Sequence, residues 1–212
     1  MTKQKGFLIT FEGGEGGGKT TQVVRLRDRL TKVGKDVVVL REPGGTVISE
    51  QIRKVVLSSK NVGMAFTTEV LLFQAARAQI YRELVLPSLE AGKIVLMDRS
   101  RDSSVVYQGI VRGFGEKLIE ELNDISTRKT MPKLTLLLDL DVEVGLKRRV
   151  DSGKMDRLDM EATDFHHRVR AGYLKLAKAD KGKRWRVIDA GVSLKTVEEK
   201  IWEIVSERLG LK

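Results

Sequence analysis

A glycine-rich segment near the start of the chain has the spacing of a phosphate-binding loop. Residues 13–20 read Gly-Gly-Glu-Gly-Gly-Gly-Lys-Thr and satisfy the pattern G-x-x-x-x-G-K-[ST]. The apolar run Phe7–Phe11 precedes them and a helical pattern follows, which separates a working loop from a chance match. The glycines let backbone N–H groups surround phosphate oxygens where the helix begins. The segment therefore predicts binding of a nucleoside triphosphate.

The residues around this loop suggest how phosphates and a metal ion are held. Lys19 is expected to reach the β- and γ-phosphates, and Thr20 to place its hydroxyl on Mg²⁺. Asp98 ends an apolar run and is a second candidate ligand. Asp139 ends another, but Arg99 directly follows Asp98, which favours Asp98. The predicted ATP-binding residues are Gly13, Gly14, Glu15, Gly16, Gly17, Gly18, Lys19, Thr20 and Thr21, and the predicted metal ligands are Thr20 and Asp98.

A turn and a helix carry side chains suited to a second ligand. The turn Arg41–Thr46 is Pro- and Gly-rich and leads into a helix with Arg53, but a plain strand-to-helix turn capped by Thr46 has the same sequence. Phe73 and Arg77 lie one helical turn apart, where a ring and a guanidinium suit a nucleobase. A core phenylalanine beside a solvated arginine has the same spacing. Downstream polar candidates at one-turn spacing are Ser103, Ser104, Tyr107 and Gln108.

The charged segment 151–159 joins two predicted helices, Val142–Val150 and Glu161–Ala179. It is typical of a lid beside a nucleotide site, although an ordinary surface connection has similar composition. Phosphoryl transfer spreads negative charge over the moving group, and positioned cations stabilise it. Cations gather around this segment: Lys147, Arg148, Arg149, Lys154, Arg157 and Arg168. The pair His166-His167 lacks a spaced third ligand, so we expect it on a solvated helix surface.

The elements that position these residues alternate along the chain. Apolar runs predict strands at Phe7–Phe11, Val37–Leu40, Ile94–Met97, Leu134–Leu140 and Trp185–Ile188, and helical patterns separate them. Such continuous runs are typical of a parallel sheet that is buried on both faces. The sequence therefore predicts an α/β fold, a doubly wound five-stranded parallel sheet with helices on both faces. Ligands of this fold bind beyond the carboxyl ends of the strands.

Composition narrows the class of protein. The 212 residues fit one α/β domain, 1–212, with a lid at about 150–160. The net charge is +10, which fits either a nucleic-acid binder or a nucleotide enzyme whose arginines converge on two polyphosphates. Aromatic residues make up only 5%, which favours the enzyme. The chain has no cysteine, which fits a cytoplasmic location. Neither a membrane span nor a signal peptide is expected.

Taken together, these motifs resemble the thymidylate kinase family across nearly the whole chain. The resemblance covers Phe11–Gly16 into Gly18-Lys19-Thr20, the Arg41–Thr46 turn, the Phe73–Arg77 helix and Asp98-Arg99 with its downstream hydroxyls. It continues through the Asp156–Asp159 segment and Phe165–Arg170. It implies a P-loop NTPase type of fold, ATP-dependent phosphorylation of dTMP to dTDP with Mg²⁺, and a homodimer. It also implies that the partners are ATP and dTMP.

The resemblance also implies individual roles. Phe73 would stack on thymine and Arg77 would bond its carbonyl oxygen. Tyr107 would crowd the 2′ position of the sugar, and Glu15 would lie near its 3′-hydroxyl. The substrate-binding set is Glu15, Pro43, Arg53, Phe73, Arg77, Arg99, Ser103, Ser104, Tyr107 and Gln108. The catalytic set is Lys19, Arg99, Arg149, Lys154 and Arg157.

Two departures from the family pattern bear on the catalytic cation. Some members carry an arginine within the phosphate-binding loop, and others supply it from the lid. Here the loop has none, and Val150 and Ser152 stand where lid arginines often occur. Which of Arg149, Lys154 and Arg157 acts therefore stays open. The alternatives are a kinase of another nucleoside monophosphate and a basic, DNA-stimulated P-loop ATPase.

Overall fold

The computed structural model describes residues 6–153 and 155–211, so Lys154 lies outside the described residues. Within those ranges, five strands form one parallel sheet in the spatial order β2-β3-β1-β4-β5. The strands are β1 (Phe7–Glu12), β2 (Val37–Arg41), β3 (Ile94–Asp98), β4 (Leu134–Asp139) and β5 (Trp185–Asp189). The predicted fold class is confirmed, and β1, which leads into the phosphate-binding loop, is the central strand.

Helices connect the strands. They are α1 (Lys19–Lys32), α2 (Val47–Val56), α3 (Phe66–Ile80), α4 (Leu86–Glu90), α5 (Arg101–Ser104), α6 (Glu116–Thr127), α7 (Val142–Asp151), α8 (Thr163–Ala179) and α9 (Leu194–Arg208). Two π-helical turns, Tyr81–Val85 and Val105–Val111, continue α3 and α5. A π-helical turn is frequent at functional sites because it redirects side chains, and the second one carries Tyr107 and Gln108. None of the helices assigned in the described ranges has the length and apolar character to cross a membrane.

The core has two layers because successive strand residues point to opposite faces. Ile9 and Phe11 of β1 pack beneath α1 and α9, and both are fully buried. Leu8 points the other way and packs with Ile80 and Tyr81 of the α3 segment. Apolar residues of α1 at helical spacing, such as Leu26, complete the first layer. Both faces of the sheet are thus covered, as the continuous apolar strands predict.

The polar residues that end the strands meet at one edge. In the register of the sheet, Phe11 pairs with Asp98, and Asp98 pairs with Arg41 on the other side. Four strands extend to the polar residue that follows the predicted apolar run, whereas β4 ends at Asp139, one residue earlier than predicted. This edge carries the candidate site.

The surface prediction is wrong for one of the two histidines. His166 is 5% exposed and lies edge-on to Phe165, because α8 packs this side of its first turn against the core. His167 lies on the exposed side and contacts Glu143, as predicted. The periodicity of α8 decides which of the two neighbours is buried.

Candidate active site

A cavity of about 450 Å³ lies at the carboxyl ends of β1, β2 and β3. Most of the predicted site residues line it: Glu15, Gly16, Gly17, Gly18, Lys19, Thr20, Thr21, Pro43, Arg53, Phe73, Arg77, Asp98, Arg99, Ser103, Ser104, Tyr107, Gln108 and Arg149. Residues from the loop after β1 and from the helices after β2 and β3 therefore meet in one space.

The phosphate-binding loop needs its glycines for both conformation and contact. Gly16 and Gly18 have φ angles of 65° and 79°, in the left-handed region that favours glycine. A side chain on Gly16 would collide with the backbone carbonyl of Gly145 in α7, and one on Gly145 would collide with that of Glu15. The loop thus packs backbone to backbone against α7. Gly18 caps α1 without a side-chain hydrogen bond, which leaves the first amides of α1 for an anion.

Lys19 occupies the position expected of a phosphate ligand. Its Nζ donates to the carbonyl oxygens of Gly13 at 3.1 Å and Gly14 at 2.7 Å, so these two residues lie behind the ammonium group. Burial and the nearby Arg99 charge together lower the pKa of Lys19 to about 8, against the opposing effect of Glu15. A bound polyphosphate would counter both effects, because negative charge favours the ammonium form.

Thr20 and Asp98 form the candidate metal site. Thr20 Oγ1 donates to Asp98 Oδ2 at 2.5 Å across the start of α1 and the end of β3. Both are hard oxygen donors, the type that Mg²⁺ prefers, and Mg²⁺ usually takes one or two protein ligands with phosphates and water completing the octahedron. The described residues include no group of three His, Cys, Asp or Glu placed to hold a metal. Asp139, the competing carboxylate, is paired with Arg170.

Arg99 ties the loop to the helices beyond β3. Its Nη2 donates to Glu15 Oε1 at 2.6 Å, and the Tyr107 hydroxyl donates to the same oxygen at 2.8 Å. Burial would raise the pKa of Glu15, but the charges of Arg99 and Lys19 outweigh it and lower that pKa to about 2. Glu15 is therefore an ionised acceptor facing the cavity.

Arg77 is almost wholly engaged by the protein. Its Nε donates to Glu42 at 2.7 Å, its Nη1 to Ser104 at 2.9 Å and Asn123 at 2.8 Å, and its Nη2 to the Ser100 carbonyl at 3.2 Å. The expectation of a solvated arginine at this spacing is excluded, because Arg77 is 2% exposed. A guanidinium carries five N–H hydrogens, so these four bonds leave one on Nη2.

The turn after β2 places two more cations at the cavity. The Pro43 carbonyl accepts from Arg53 Nη1 at 2.8 Å and from Arg41 Nη1 at 3.2 Å. Burial and the neighbouring Arg41 charge lower the pKa of Arg53. Thr46 caps α2 by accepting from the Ser49 amide, so the turn is both a helix start and a cavity wall.

The cations around segment 151–159 differ in where they point. Arg149 lines the cavity, and its guanidinium binds both oxygens of Asp159. Arg148 is one of the cations noted around this segment but is not in the predicted catalytic set; it also lines the cavity and donates to the Gly16 carbonyl at 3.3 Å. Arg157 is 4% exposed, and its guanidinium binds Glu69 and the Val56 carbonyl. That burial argues against the predicted catalytic role of Arg157.

Comparison with known proteins agrees with this geometry. The family model described as thymidylate kinase matches residues 11–201. The chain belongs to the thymidylate kinase family.

Relatives match over nearly their full length. A thymidylate kinase of Geotalea uraniireducens (strain Rf4) is 46% identical over 210 residues, covering 96% of this chain and 98% of that protein. A thymidylate kinase of Thermomicrobium roseum is 46% identical over 202 residues, covering 95% of each chain. The crystal structure of thymidylate kinase from Ehrlichia chaffeensis has a TM-score of 0.77 and 32% identity, covering 95% of this chain and 98% of that one. Membership in the thymidylate kinase family does not favour a DNA-stimulated ATPase.

Sequence reasoning missed a buried carboxyl group of this thymidylate kinase family member. Glu12, the last residue of β1, is fully buried and accepts from the Ser100 amide at 2.9 Å, the Ser103 hydroxyl at 2.6 Å and the Tyr173 hydroxyl at 3.0 Å. Burial and the nearby Asp102 charge raise the pKa of Glu12 to about 7. Its place at the end of a central strand beside the loop was the available signal.

This raised pKa predicts a pH-dependent stability. Between about pH 4.5 and 7 the folded protein retains a proton on Glu12 that the unfolded chain has released, so stability falls as the pH rises through that window. The contribution is on the order of 3 kcal/mol. Urea unfolding of Glu12→Gln at several pH values is expected to show a flatter profile there. A variant profile as steep as that of the wild type would contradict the assignment, and Glu121→Gln, at an exposed carboxylate, is the matched control.

Proposed function

We propose that this chain transfers the γ-phosphoryl group of ATP to dTMP, giving dTDP and ADP. An oxygen of the dTMP phosphate attacks the γ-phosphorus, and the bond from that phosphorus to the β–γ bridging oxygen breaks. The observation that carries the proposal is the shared cavity. It is lined by the phosphate-binding loop, by the candidate base-binding residues Phe73 and Arg77, and by Arg99. Positioning and charge neutralisation supply the catalysis, without a covalent intermediate.

The donor site is assigned to the loop and the start of α1. We propose that residues 13–21 surround the ATP phosphates and that Lys19 moves from the Gly13 and Gly14 carbonyls onto them. Thr20 and Asp98 would hold Mg²⁺, which when bound neutralises charge on the β- and γ-phosphates. The hard oxygen donors at the junction of α1 and β3 support this assignment.

The acceptor phosphate and sugar are assigned to the next layer of side chains. Arg53 and Arg99 would hold the dTMP phosphate, because both are cavity-lining cations. Glu15, ionised and directed into the cavity, would accept from the 3′-hydroxyl, and Ser103 would support Arg99. Tyr107 packs against the sugar's 2′ edge in this proposal and so favours deoxyribose.

The base pocket is assigned to α3 and the second π-helical turn. Phe73 would stack on the thymine ring, with Pro43 and Ser104 completing the walls. The one uncommitted N–H of Arg77 would donate to the thymine carbonyl oxygen at C4. Cytosine has an amino group at C4, which is a donor like the Arg77 N–H. The Arg77 N–H would then stay buried without an acceptor, which weakens the binding of cytosine. Gln108 contributes an amide to the same edge.

This pocket predicts which acceptor the chain uses. Release of ADP with MgATP should be fast with dTMP, slower with dUMP because the 5-methyl contact is lost, and at least about 10⁴-fold less efficient with dCMP. A coupled assay over dTMP, dUMP, dCMP, dGMP and AMP makes the measurement. Preference for another acceptor would keep the phosphate chemistry and reject the base assignment. ADP release that needs DNA instead of a nucleotide would reject the proposed reaction.

We propose Arg149 as the lid cation that stabilises the transferring group. It lines the cavity, whereas Arg157 is occupied by Glu69. Asp159 holds the Arg149 guanidinium in place through both of its oxygens, which reduces the reorganisation needed during transfer. Segment 150–160 is the proposed lid of a single domain that spans the chain.

This assignment predicts a loss confined to turnover. Arg149→Gln should lower kcat on the order of 10²- to 10³-fold, because a preorganised cation is lost from the transition state. The KM for dTMP should stay close to the wild-type value. Arg168→Gln, at a lid-proximal arginine that pairs with exposed Asp164, is the control and should retain turnover. Normal kcat in Arg149→Gln would exclude it as the lid cation.

We also propose a cytoplasmic homodimer. The absence of cysteine fits a reducing compartment. Adjacent helices α2, α3 and α6 expose Ile48 at 50%, Leu71 at 57% and Ile125 at 76%. Exposed apolar side chains on neighbouring helices support a surface that a second copy covers.

The dimer proposal predicts a charge-sensitive association. Sedimentation velocity should give twice the chain mass for the wild type and the single-chain mass for Leu71→Glu, because a buried unpaired carboxylate opposes association. Val33→Glu, at a 49% exposed residue after α1, should leave the wild-type mass unchanged. A monomeric wild-type protein, or a dimeric Leu71→Glu variant, would overturn the proposed surface.

A further inference from the structure

Glu69 is a fully buried carboxylate beneath the base pocket. It lies on α3 at positions i, i+4 and i+8 with Phe73 and Arg77, so these three residues share one face of the helix. Neither the loop chemistry nor the proposed substrate contacts use it. A buried charge of this kind is costly unless each of its oxygens is bonded.

The two oxygens of Glu69 hold two different parts of the site. Gln108 Nε2 donates to Oε1 at 2.9 Å, and Arg157 Nη2 donates to Oε2 at 2.6 Å. Arg112 spans both oxygens at 3.4 and 3.3 Å and also binds Glu161. One carboxylate thus joins the wall of the base pocket to the lid.

The bond to Gln108 fixes which way its amide faces. Burial would raise the pKa of Glu69, but the bonds from Gln108 and Arg157 and the charge of Arg112 outweigh it and keep the pKa below its ordinary value. An ionised carboxylate can only accept, so the NH₂ side of the Gln108 amide must face Glu69. The carbonyl side is then the one available to an N–H donor such as N3 of thymine, whereas N3 of cytosine is an acceptor.

The bond to Arg157 fixes the second half of the lid. Arg157 Nε donates to the Val56 carbonyl at 3.0 Å, and its backbone amide donates to the Leu57 carbonyl at 3.1 Å. Its chain neighbours Asp156 and Leu158 both line the cavity. The bonds that hold Arg157 therefore also fix the positions of Asp156 and Leu158 at the cavity, where the acceptor nucleotide is proposed to bind.

We propose that Glu69 is a positioning residue that couples recognition of the acceptor base to the seating of the lid, through Gln108 on one oxygen and Arg157 on the other. The inference rests on the proposed function, because it assumes that a pyrimidine occupies the pocket. Base binding engages Gln108, and the rigid carboxylate transmits that constraint to Arg157. Loss of the carboxylate removes both the fixed orientation of the Gln108 amide and the connection between Gln108 and Arg157.

Two readouts test the two arms. The first is the ratio of kcat/KM for dTMP to that for dCMP. The second is the slowing of hydrogen exchange in the lid segment that saturating dTMP causes. Glu69→Gln should lower the selectivity ratio on the order of tenfold, because the new glutamine amide can donate to Gln108 and so permit the opposite orientation of the Gln108 amide. The same variant should abolish the slowing, because the carboxylate that links Gln108 to Arg157 is lost. Arg157→Gln should abolish the slowing while keeping most of the selectivity, and Arg157→Lys should restore part of the slowing.

A buried arginine elsewhere gives the matched control. Arg101 is 2% exposed and pairs with Glu120 and Asp124 on α6, so Arg101→Gln removes a comparable buried ion pair. It should lower thermal stability and leave both readouts at wild-type values. If Arg101→Gln moves them as far as Glu69→Gln does, or if both Glu69 and Arg157 variants retain them, the coupling is overturned. A wild-type protein without dTMP turnover would instead reject the proposed function.

Discussion

The arrangement of the site depends on how the buried charge of Arg99 is neutralised. Arg99 follows β3 with a φ of 67°, a left-handed conformation that few residues other than glycine adopt, and its amide is held by the Phe11 carbonyl. Its guanidinium binds Glu15 of the loop and the Tyr173 hydroxyl of α8. Segments far apart in sequence are therefore fixed to one cation. The charge of Arg99 also lowers the pKa values of Glu15 and Lys19 beside it.

Parallel topology explains why donor and acceptor chemistry occur side by side. β1 is central, so the loop that follows it lies between the turn after β2 and β3 on one side and α7 after β4 on the other. The carboxyl ends of all these strands face the same edge. The family model matches residues 11–201 and so includes all of the strand ends that meet at this edge.

Local patterns were sufficient to predict the strands, the phosphate-binding loop and most of the cavity lining. These features depend on short-range periodicity and on glycine spacing, which are visible in one sequence. The environments of Glu12, Arg157 and His166 could not be predicted in the same way. Glu12 and Arg157 are buried by partners distant in sequence, and His166 is buried by the packing of α8 against the core. Residues of these types are mostly exposed, so their identity alone predicts a solvated position.

Segment 151–159 illustrates the same limit. The charged segment correctly indicated a connection beside the cavity, but it could not show which cations point inward. Arg149 and Arg157 are eight positions apart on a chain that turns between them, so helical spacing does not relate their directions. Their different surroundings follow from the positions of Asp159 and Glu69, which only the folded chain brings near them.

The close backbone contact between Gly16 and Gly145 has a mechanical consequence. Because no side chain fits between the two backbones, neither glycine can be replaced without separating the loop from α7. The other end of the connection is anchored where Arg157 binds α2 and α3. The connection is therefore held at both of its ends, by the phosphate-binding loop at Gly145 and by α2 and α3 at Arg157. A displacement of this connection away from the cavity would have to break one of the two attachments.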